Sequence, residues 1–442
     1  MSADFFYNTY SKFSKRGNSL RLKITAFGII VFSVCIISGF AGLNIFVSEL
    51  YRISALSFSL IIISYFSKIK KFPEITAGVF FDKQFHTEEP SKYGIKIFDH
   101  SNKDLFDLEI IPVTEKLVPS KEDFINIKEP EEQNRNLWDR HIYYFRWIWH
   151  ILKLHKADFH SIRIKLIKAE SFVSIDGDFL PVKRGKIKFD GFYVVKKDLF
   201  GIFTSYKFFE AKDNIVILPK KTIIETRLKK QILTDTERKN RSSSNHLYKH
   251  KIGDFIGLRD YVPGDPFKNI HWKTWAKTDK PAVIEKGVEK TKEYLVVLLN
   301  LTEKEDKDFS SRFEDCLSYL FSTVKYLEEN EFEIIFYHFD KEGNIIRFDA
   351  EKDKGNYAKL NNILAELDYY DYKLKIACER VTSVLNRRTN SMIFAPESDP
   401  VIFKLKSNFN SILLLCGDTE YKNSRIVKMP RINNTVRKIN LT

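Results

Sequence analysis

Two apolar runs near the N-terminus place the strongest limit on what this chain can fold into. Residues 24–46 contain no charged side chain, and a second apolar run follows at residues 53–66. With a rise of about 1.5 Å per helical residue, the first run is long enough to cross a hydrocarbon core of ~30 Å. The second run is short and needs Leu50 and Tyr51 to approach that length. We therefore expect a two-helix transmembrane hairpin within residues 1–74.

The charges that flank these runs predict an orientation. Basic residues precede the first run and Lys68, Lys70 and Lys71 follow the second, whereas the connecting loop holds only Glu49 and Arg52. Because Lys and Arg concentrate on the cytoplasmic side, both tails and all soluble domains are expected in the cytoplasm of a multi-pass cell-membrane protein. A cleaved signal peptide is the alternative, but the first run is longer than the apolar segment of a signal peptide.

The formal net charge of +14 suits an anionic membrane surface, an acidic partner or nucleic acid. The basic residues are spread over the membrane flanks, a linker and the C-terminal tail, and no recognition helix accompanies them. The sequence therefore predicts a lipid bilayer and not nucleic acid as a partner. The four cysteines form no CxxC pair, which favours a reducing compartment; they are Cys35, Cys316, Cys378 and Cys416.

Residue periodicity divides the rest of the chain. Residues 75–222 alternate between apolar and polar side chains, as half-buried strands do, and predict an antiparallel β-sandwich-like domain. Residues 223–252 have few apolar groups and indicate an exposed linker. Residues 281–442 alternate between strand and helix patterns, with 282–285 and 294–299 predicted to pair, and indicate a layered α/β domain. The predicted fold class is thus α+β and multidomain.

An amphipathic helical insert is predicted at residues 137–156, within the β-rich domain. Apolar residues recur at helical spacing along one face, and mostly polar residues recur along the opposite face. The apolar face consists of Trp138, Ile142, Phe145, Trp149 and Leu152, and the opposite face of Asp139, Tyr143, Arg146, His150 and Lys153. A basic helix rich in Trp and Tyr suits a bilayer interface. Packing on the β-rich domain is the alternative.

The segment at residues 253–280 is dense in turn formers, charges and aromatic side chains. Val262-Pro263-Gly264-Asp265 predicts a type II turn, because Pro fixes the first central φ and Gly accepts a positive second one. Asp265 is then expected to cap a short helix that begins at Pro266. We also expect Arg259 and Asp265 to be paired and partly buried.

The same segment resembles the signature of a known bacterial family. Gly-Asp-Phe-x-Gly-Leu-Arg-x-Tyr-x-Pro-Gly-Asp-Pro at residues 253–266, with Ile270-His271-Trp272-Lys273 after it, is similar to the signature of the domain-of-unknown-function fifty-eight family. Lys268-Asn269 departs from the arginine common there. The resemblance implies a membrane anchor, a C-terminal von Willebrand A-like α/β domain, and a MoxR-type AAA+ ATPase and a transglutaminase-like protein as partners. The positions it implies for partner docking are Gly257, Arg259, Tyr261, Pro263, Gly264, Asp265, His271, Trp272 and Lys273.

The metal loop expected of a von Willebrand A-like fold is degenerate in this sequence. That loop reads Asp-x-Ser-x-Ser and supplies oxygen ligands to a cation such as Mg²⁺. Here Asn300, Thr302 and Lys304 hold the matching positions, so a neutral amide replaces the acid and a cation replaces a hydroxyl. The later strand ends at Phe394-Ala395-Pro396 without an acidic residue. No metal and no cofactor are expected.

The function that these features predict is non-catalytic. His271 beside Asp265 or Asp260 is the strongest acid–base candidate, but no Ser or Cys nucleophile lies in the segment. The expected protein is a membrane-anchored interaction or scaffold protein that acts with a MoxR-type AAA+ ATPase in assembly or maturation of a protein or envelope complex. A metal-dependent ligand-binding receptor of von Willebrand A type is the second hypothesis, and an enzyme using His271 is the third.

Overall fold

Antiparallel strands fill the first half of the chain, whereas strands and helices alternate in the second half. The computed structural model divides accordingly into two units, Met1–Lys220 and Lys221–Thr442. It describes residues 3–15, 22–43, 48–68, 74–81, 84–102, 104–130, 132–198, 200–242, 251–289, 292–303, 308–350, 356–385, 390–397, 399–403, 411–416 and 426–429.

The first unit contains two antiparallel sheets and two groups of helices. In chain order its elements are α1 (Ala3–Lys15), β1 (Leu22–Ile24), α2 (Ala26–Ala41), α3 (Ser48–Lys68), β2 (Ile75–Phe81), β3 (Phe85–His86), β4 (Ser91–Asp99), β5 (Leu105–Thr114), α4 (Lys121–Asn126), α5 (Leu137–Ile142), α6 (Tyr144–Leu154), β6 (Ala157–Phe159), β7 (Ile162–Ile167), β8 (Phe172–Pro181), β9 (Gly185–Lys197) and β10 (Phe203–Leu218). One sheet has the order β1-β10-β9-β5-β7, with β3 beside β10 in parallel, and the other has the order β2-β4-β8-β6.

One hydrophobic core joins the two sheets. Successive strand residues point to opposite faces, so alternate positions of each strand can face the other sheet. Ile95 and Ile97 of β4 and Ile110 and Val194 of β5 and β9 belong to a single core cluster and are fully buried. The alternation at residues 75–222 therefore predicted the β-sandwich-like character of this unit correctly.

The two apolar runs form α2 and α3, which contact each other through Ser54 Oγ and the carbonyl of Cys35, 2.9 Å apart. With 21 residues, α3 is about 31 Å long, and α2, with 16 residues, is only about 24 Å long. In the part of the chain that the structure describes, Glu49–Phe66 is the one helical segment that is both long and apolar enough to cross a membrane. Of the two helices of the predicted transmembrane hairpin, α3 is therefore long enough to cross a membrane. α2 is shorter, because the helix of the first apolar run ends at Ala41.

The inserted helices differ from the single helix predicted at residues 137–156. α5 ends and α6 begins on either side of Tyr143, whose φ of 55° breaks the helical path. Two residues of the predicted polar face turn into the first unit, and one residue of the predicted apolar face stays exposed. Arg146 and His150 are only 5% and 3% exposed, whereas Trp138 of the apolar face is 79% exposed.

A polar network inside the first unit explains this arrangement. The Arg146 guanidinium forms a two-pronged ion pair with the Glu132 carboxylate, with Nε 2.8 Å from Oε2, and its Nη1 donates to the Phe124 carbonyl at 3.2 Å. The His150 imidazole lies 3.2 Å from the Ile127 carbonyl, and burial lowers the pKa of this histidine. Because Arg146 and His150 both have hydrogen-bond partners, these two polar side chains can turn inwards.

The second unit has a mostly parallel sheet and a separate hairpin. Its elements are α7 (Thr226–Ser242), β11 (Lys251–Asp260), α8 (Trp272–Thr278), β12 (Ala282–Glu289), β13 (Lys292–Leu298), β14 (Leu301–Thr302), α9 (Phe309–Glu329), β15 (Phe332–Phe339), β16 (Ile345–Ala350), α10 (Asn356–Glu366), β17 (Tyr370–Asp371), α11 (Leu374–Val384), β18 (Asn390–Ala395), β19 (Ser411–Leu415) and β20 (Ile426–Lys428). The main sheet has the order β16-β15-β13-β18-β19-β20, and β16 is its antiparallel edge strand.

Helices cover the faces of this sheet. Leu295 and Val297 of β13 share a core cluster with Ala377 and Val381 of α11. The apolar face of α9 is buried; its members are Phe313, Leu317, Leu320, Val324 and Leu327. The alternating pattern of this region therefore predicted an α/β layer arrangement correctly.

Two local predictions in the second unit differ from the structure. Residues 282–285 do not pair with 294–299, because β12 pairs with β11, and β13 lies between β15 and β18. Residues 226–242, assigned to an exposed linker, form α7. Leu228 and Ile232, four residues apart on one helix face, are buried together with Ile224.

Candidate functional site

The signature segment forms a β-hairpin with a helical crossing between its strands. Arg259 of β11 pairs with Val283 of β12, and the register of β11 shifts next to Gly257. A 3₁₀ turn at Phe267–Asn269 and then α8 connect the two strands. Ile270, which is buried, forms an isolated bridge with Val283 and fixes the connection to the hairpin.

The tight turn at residues 262–265 forms as predicted. The Asp265 N–H donates to the Val262 carbonyl at 3.0 Å, and Gly264 has φ of +109°. This positive φ is why glycine is needed at the third position of the turn. Asp265 does not cap the following helix, because its carboxylate faces back and accepts the Val262 N–H at 3.0 Å.

Arg259 holds this turn by a two-pronged ion pair. Its Nη1 and Nη2 lie 2.8 Å and 2.6 Å from the two Asp265 carboxylate oxygens. The guanidinium and the Val262 N–H together lower the pKa of Asp265. The predicted pairing is thus confirmed, but the burial is shallow, since the two side chains are 41% and 16% exposed. The pair sets the shape of the turn and contributes little to a hydrophobic core.

Large apolar side chains of the segment face solvent. Phe267 is 71% and Trp272 is 59% exposed, and Val262 and Leu258 are also exposed. The Trp272 ring stacks on Trp275 with centroids 5.3 Å apart, and the Phe267 ring stacks on Tyr261 at 6.4 Å. These six residues and their backbone are called the signature surface below. The exposed lysines beside it are Lys268, Lys273 and Lys277.

His271 occupies the start of α8 and binds neighbours within the segment. The backbone N–H of His271 donates to the Ala282 carbonyl at 2.9 Å, and the ring atom Nδ1 lies 2.7 Å from the Thr274 hydroxyl. The Asp265 carboxylate, predicted as its orienting partner, is bound to Arg259 instead. The histidine therefore joins α8 to β12, and the geometry around it is that of a structural hydrogen bond.

Asn300 and Thr302, predicted to belong to a degenerate metal loop, lie at the carboxyl end of β13. The two neighbours of β13 in the sheet are β15 on one side and β18 on the other. Such a switch point is the usual ligand position of an open α/β sheet. Asn300 is fully buried there. Its side chain connects the residues after β13 to the end of β15 and to the residues before β17. Its Nδ2 donates to the carbonyls of Phe339 at 2.9 Å and Asp368 at 2.8 Å, and its Oδ1 accepts the Phe339 N–H at 2.9 Å.

Thr302 forms a hydrogen bond with Glu397, an acidic residue that was not among the predicted site residues. Its hydroxyl donates to Glu397 Oε1 at 3.2 Å, and Arg312 Nη2 lies 3.7 Å from the same oxygen. Glu303 accepts the Leu374 N–H at 2.7 Å and so binds the start of α11. Lys304 lies outside the described residues. A guanidinium thus faces the carboxylate where a receptor of this type would need a metal ion.

The position of Glu397 could have been found from strand direction. Its strand, β18, is parallel to β13, so residues just after both strands meet at one edge of the sheet. Glu397 directly follows Phe394-Ala395-Pro396, the end predicted for this strand. Among the residues that the structure describes, no group of three or more His, Cys, Asp or Glu side chains is arranged to hold a metal ion.

No protein-family model and no curated protein sequence matches the chain. Among solved structures, the CARDB domain of a Pyrococcus furiosus protein, in complex with di-metal ions, aligns with 34% of this chain and 90% of its own, at 6% identity and a TM-score of 0.19. A GH20 exo-β-N-acetylglucosaminidase from Vibrio harveyi aligns with 72% of this chain and 56% of its own, at 9% identity and a TM-score of 0.14. Similarities of this size carry no argument about function.

Proposed function

We propose that this chain is a membrane-anchored, non-catalytic interaction protein whose signature surface docks a MoxR-type AAA+ ATPase. The complex would act in assembly or maturation of another protein or of an envelope complex, with a transglutaminase-like protein as a further partner. The observation that carries the proposal is the exposure of Phe267 and Trp272 on a hairpin whose turn is held by an ion pair.

The composition of the signature surface supports docking. Large exposed apolar groups clustered on one element are characteristic of binding sites, and Trp, Tyr and Arg dominate the energetics of protein interfaces. The Arg259–Asp265 pair fixes the turn before a partner arrives, which lowers the entropy cost of binding. The exposed lysines favour an acidic patch on the partner.

The proposed architecture follows the family resemblance. We assign the second unit to a von Willebrand A-like fold. Five parallel strands with an antiparallel edge strand support this assignment, as does the position of Asn300 and Thr302 after the central strand β13. The Arg312–Glu397 contact weighs against the metal-dependent receptor, because a cation of the chain already neutralises the carboxylate.

Partner capture tests the docking proposal. A Trp272→Ala variant should lose the AAA+ ATPase from pull-downs of detergent-solubilised membranes that are read by mass spectrometry. Removing a central aromatic side chain from an interface costs at least ~2 kcal/mol, or about 30-fold in affinity. Because Trp272 is exposed, the melting temperature of the Trp272→Ala variant should equal that of the wild type.

Phe106→Ala is the matched control, since Phe106 is equally exposed but belongs to β5 of the first unit. It should retain the ATPase. Equal capture of an ATPase by the wild type and both variants would place the docking site elsewhere. A wild type that captures no ATPase would remove the proposed partner altogether.

We further propose that α2 and α3 both span the membrane, with both units in the cytoplasm. The excess of Lys and Arg outside the connecting loop supports this orientation. The native cysteines allow a clean labelling test, because Cys316, Cys378 and Cys416 are buried. In a Cys35→Ser background, Leu43→Cys lies between the helices, and Lys221→Cys follows the first unit; both positions are exposed.

An impermeant maleimide should label Leu43→Cys in intact cells and Lys221→Cys only after the membrane is opened. The reverse pattern would invert the topology. Labelling of both positions in intact cells would place both units outside the cytoplasm.

A further inference from the structure

The helices α5 and α6 present their apolar side outwards although their polar side has partners inside. Arg146 and His150 point into the first unit, as described above. On the outer side, Leu137, Trp138 and Ile142 of α5 remain exposed, and Phe145, Trp149 and Leu152 of α6 are half-buried. A surface helix normally shows the opposite arrangement, so this side requires a non-aqueous neighbour.

The N-terminal helix α1 fixes α6 in this orientation. Tyr7 donates from its hydroxyl to the Pro119 carbonyl at 3.0 Å, and its ring lies 5.9 Å from that of the buried Trp147. Tyr10 donates to the Ile142 carbonyl at 2.8 Å. Asp4 and Lys121 form an ion pair at 3.0 Å. With α1 on its inner side, α6 cannot rotate its apolar side inwards without breaking these contacts.

Continuity with the apolar helices indicates what covers the outer side. Six residues connect the end of α1 to the start of β1, so these two points lie at most about 24 Å apart. β1 pairs with β10, and at that same end of β10 the Phe203 ring contacts the rings of Phe32 in α2 and Tyr65 in α3. The α1–α5–α6 group is therefore tethered close to the end of the sheet on which the apolar helices rest.

The chemistry of the outer side matches a bilayer interface. Trp and Tyr side chains favour the headgroup layer, where one end of the ring is wet and the other apolar. Lys12 and Lys153 are exposed on α1 and α6 and can bind anionic headgroups. Lys153 Nζ also lies over the Trp149 ring, 5.6 Å from its centroid, so charge and aromatic surface are adjacent.

We infer that α5 and α6 lie on the membrane surface with Trp138 in the headgroup layer of an anionic bilayer. The inference rests on the membrane anchoring proposed above. It assigns the inserted helices a second membrane contact, which would fix the tilt of the first unit against the bilayer.

Brominated lipids test this contact, because they quench tryptophan fluorescence only at short range. The anchor helices contain no tryptophan, so the signal reports on the soluble parts alone; the five tryptophans are Trp138, Trp147, Trp149, Trp272 and Trp275. The full chain is reconstituted into vesicles of phosphatidylcholine and phosphatidylglycerol with and without bromine. The wild type should be quenched, and Trp138→Phe should lose most of that quenching.

Trp272→Phe is the matched control, since it removes an exposed tryptophan from the second unit and should leave quenching unchanged. Equal quenching of wild type and Trp138→Phe overturns the inference. If the wild type is not quenched and carbonate does not extract the chain from the vesicles, the inference is overturned. The proposed membrane anchor then still stands. A chain that carbonate removes from the vesicles overturns the anchor as well. A Trp138 signal that depends on protein concentration and not on bromine indicates a second copy at this surface, and also overturns it.

Discussion

Arg146→Met is expected to destabilise the α4–α6 region of the first unit by about 3–5 kcal/mol, the usual cost of removing one partner from a buried ion pair. Glu132 would keep a carboxylate that is largely shielded from water and has lost the guanidinium bound to both its oxygens. The Phe124 carbonyl, also buried, would lose the Nη1 donor at 3.2 Å. Hydrogen exchange of the α6 amides in the detergent-solubilised full chain measures the local free energy of opening.

Two further variants separate the ion pair from simple packing. Lys153→Met makes a comparable change at an exposed position of the same helix and should alter the opening free energy by no more than ~0.5 kcal/mol. Glu132→Met combined with Arg146→Met should recover most of the loss, because two apolar groups then replace the pair. A single variant that loses less than ~1 kcal/mol would show that water reaches the carboxylate.

This helix also shows what periodicity can and cannot predict. The spacing of Trp138, Ile142 and Trp149 predicted an apolar face, and such a face exists. Which face turns inwards depends on partners that are distant in sequence, such as Glu132 for Arg146 and α1 for Trp147. No local pattern contains that information, so periodicity left a bilayer contact and packing on the β-rich domain as alternatives.

Local chemistry explains the predictions that are confirmed. Pro263 fixes its own φ and Gly264 accepts a positive φ, so the turn at residues 262–265 follows from the two residue types. Arg259 and Asp265 are close in sequence and meet across that turn. The pairing of β12 with β11 was missed because no strand was predicted at residues 251–260, and the short distance in sequence to β13 favoured a wrong neighbour.

Asn300→Asp is expected to destabilise the second unit by roughly 1–3 kcal/mol or more, although it restores the acid that the metal loop of a von Willebrand A-like fold would have. Asn300 is fully buried, and its amide donates to the carbonyls of Phe339 and Asp368. An ionised aspartate cannot donate these bonds, so the buried Phe339 carbonyl would keep only a 3.4 Å contact with His338 Nδ1. Loss of a partner at one buried acceptor costs roughly 1–3 kcal/mol, and more where a buried charge replaces the amide. Hydrogen exchange of the β13 and β15 amides, including that of Phe339, measures the loss.

Asn362→Asp is the matched control, because it makes the same chemical change at an exposed position of α10 and should have an effect of ~0.5 kcal/mol or less. Added Mg²⁺ should not restore the stability of Asn300→Asp. The side chain at this position faces backbone carbonyls, and Glu397 is held by Thr302 and Arg312. Restoration by millimolar Mg²⁺ would mean that the strand ends can rearrange into an oxygen site, and it would favour the metal-dependent receptor over the docking protein.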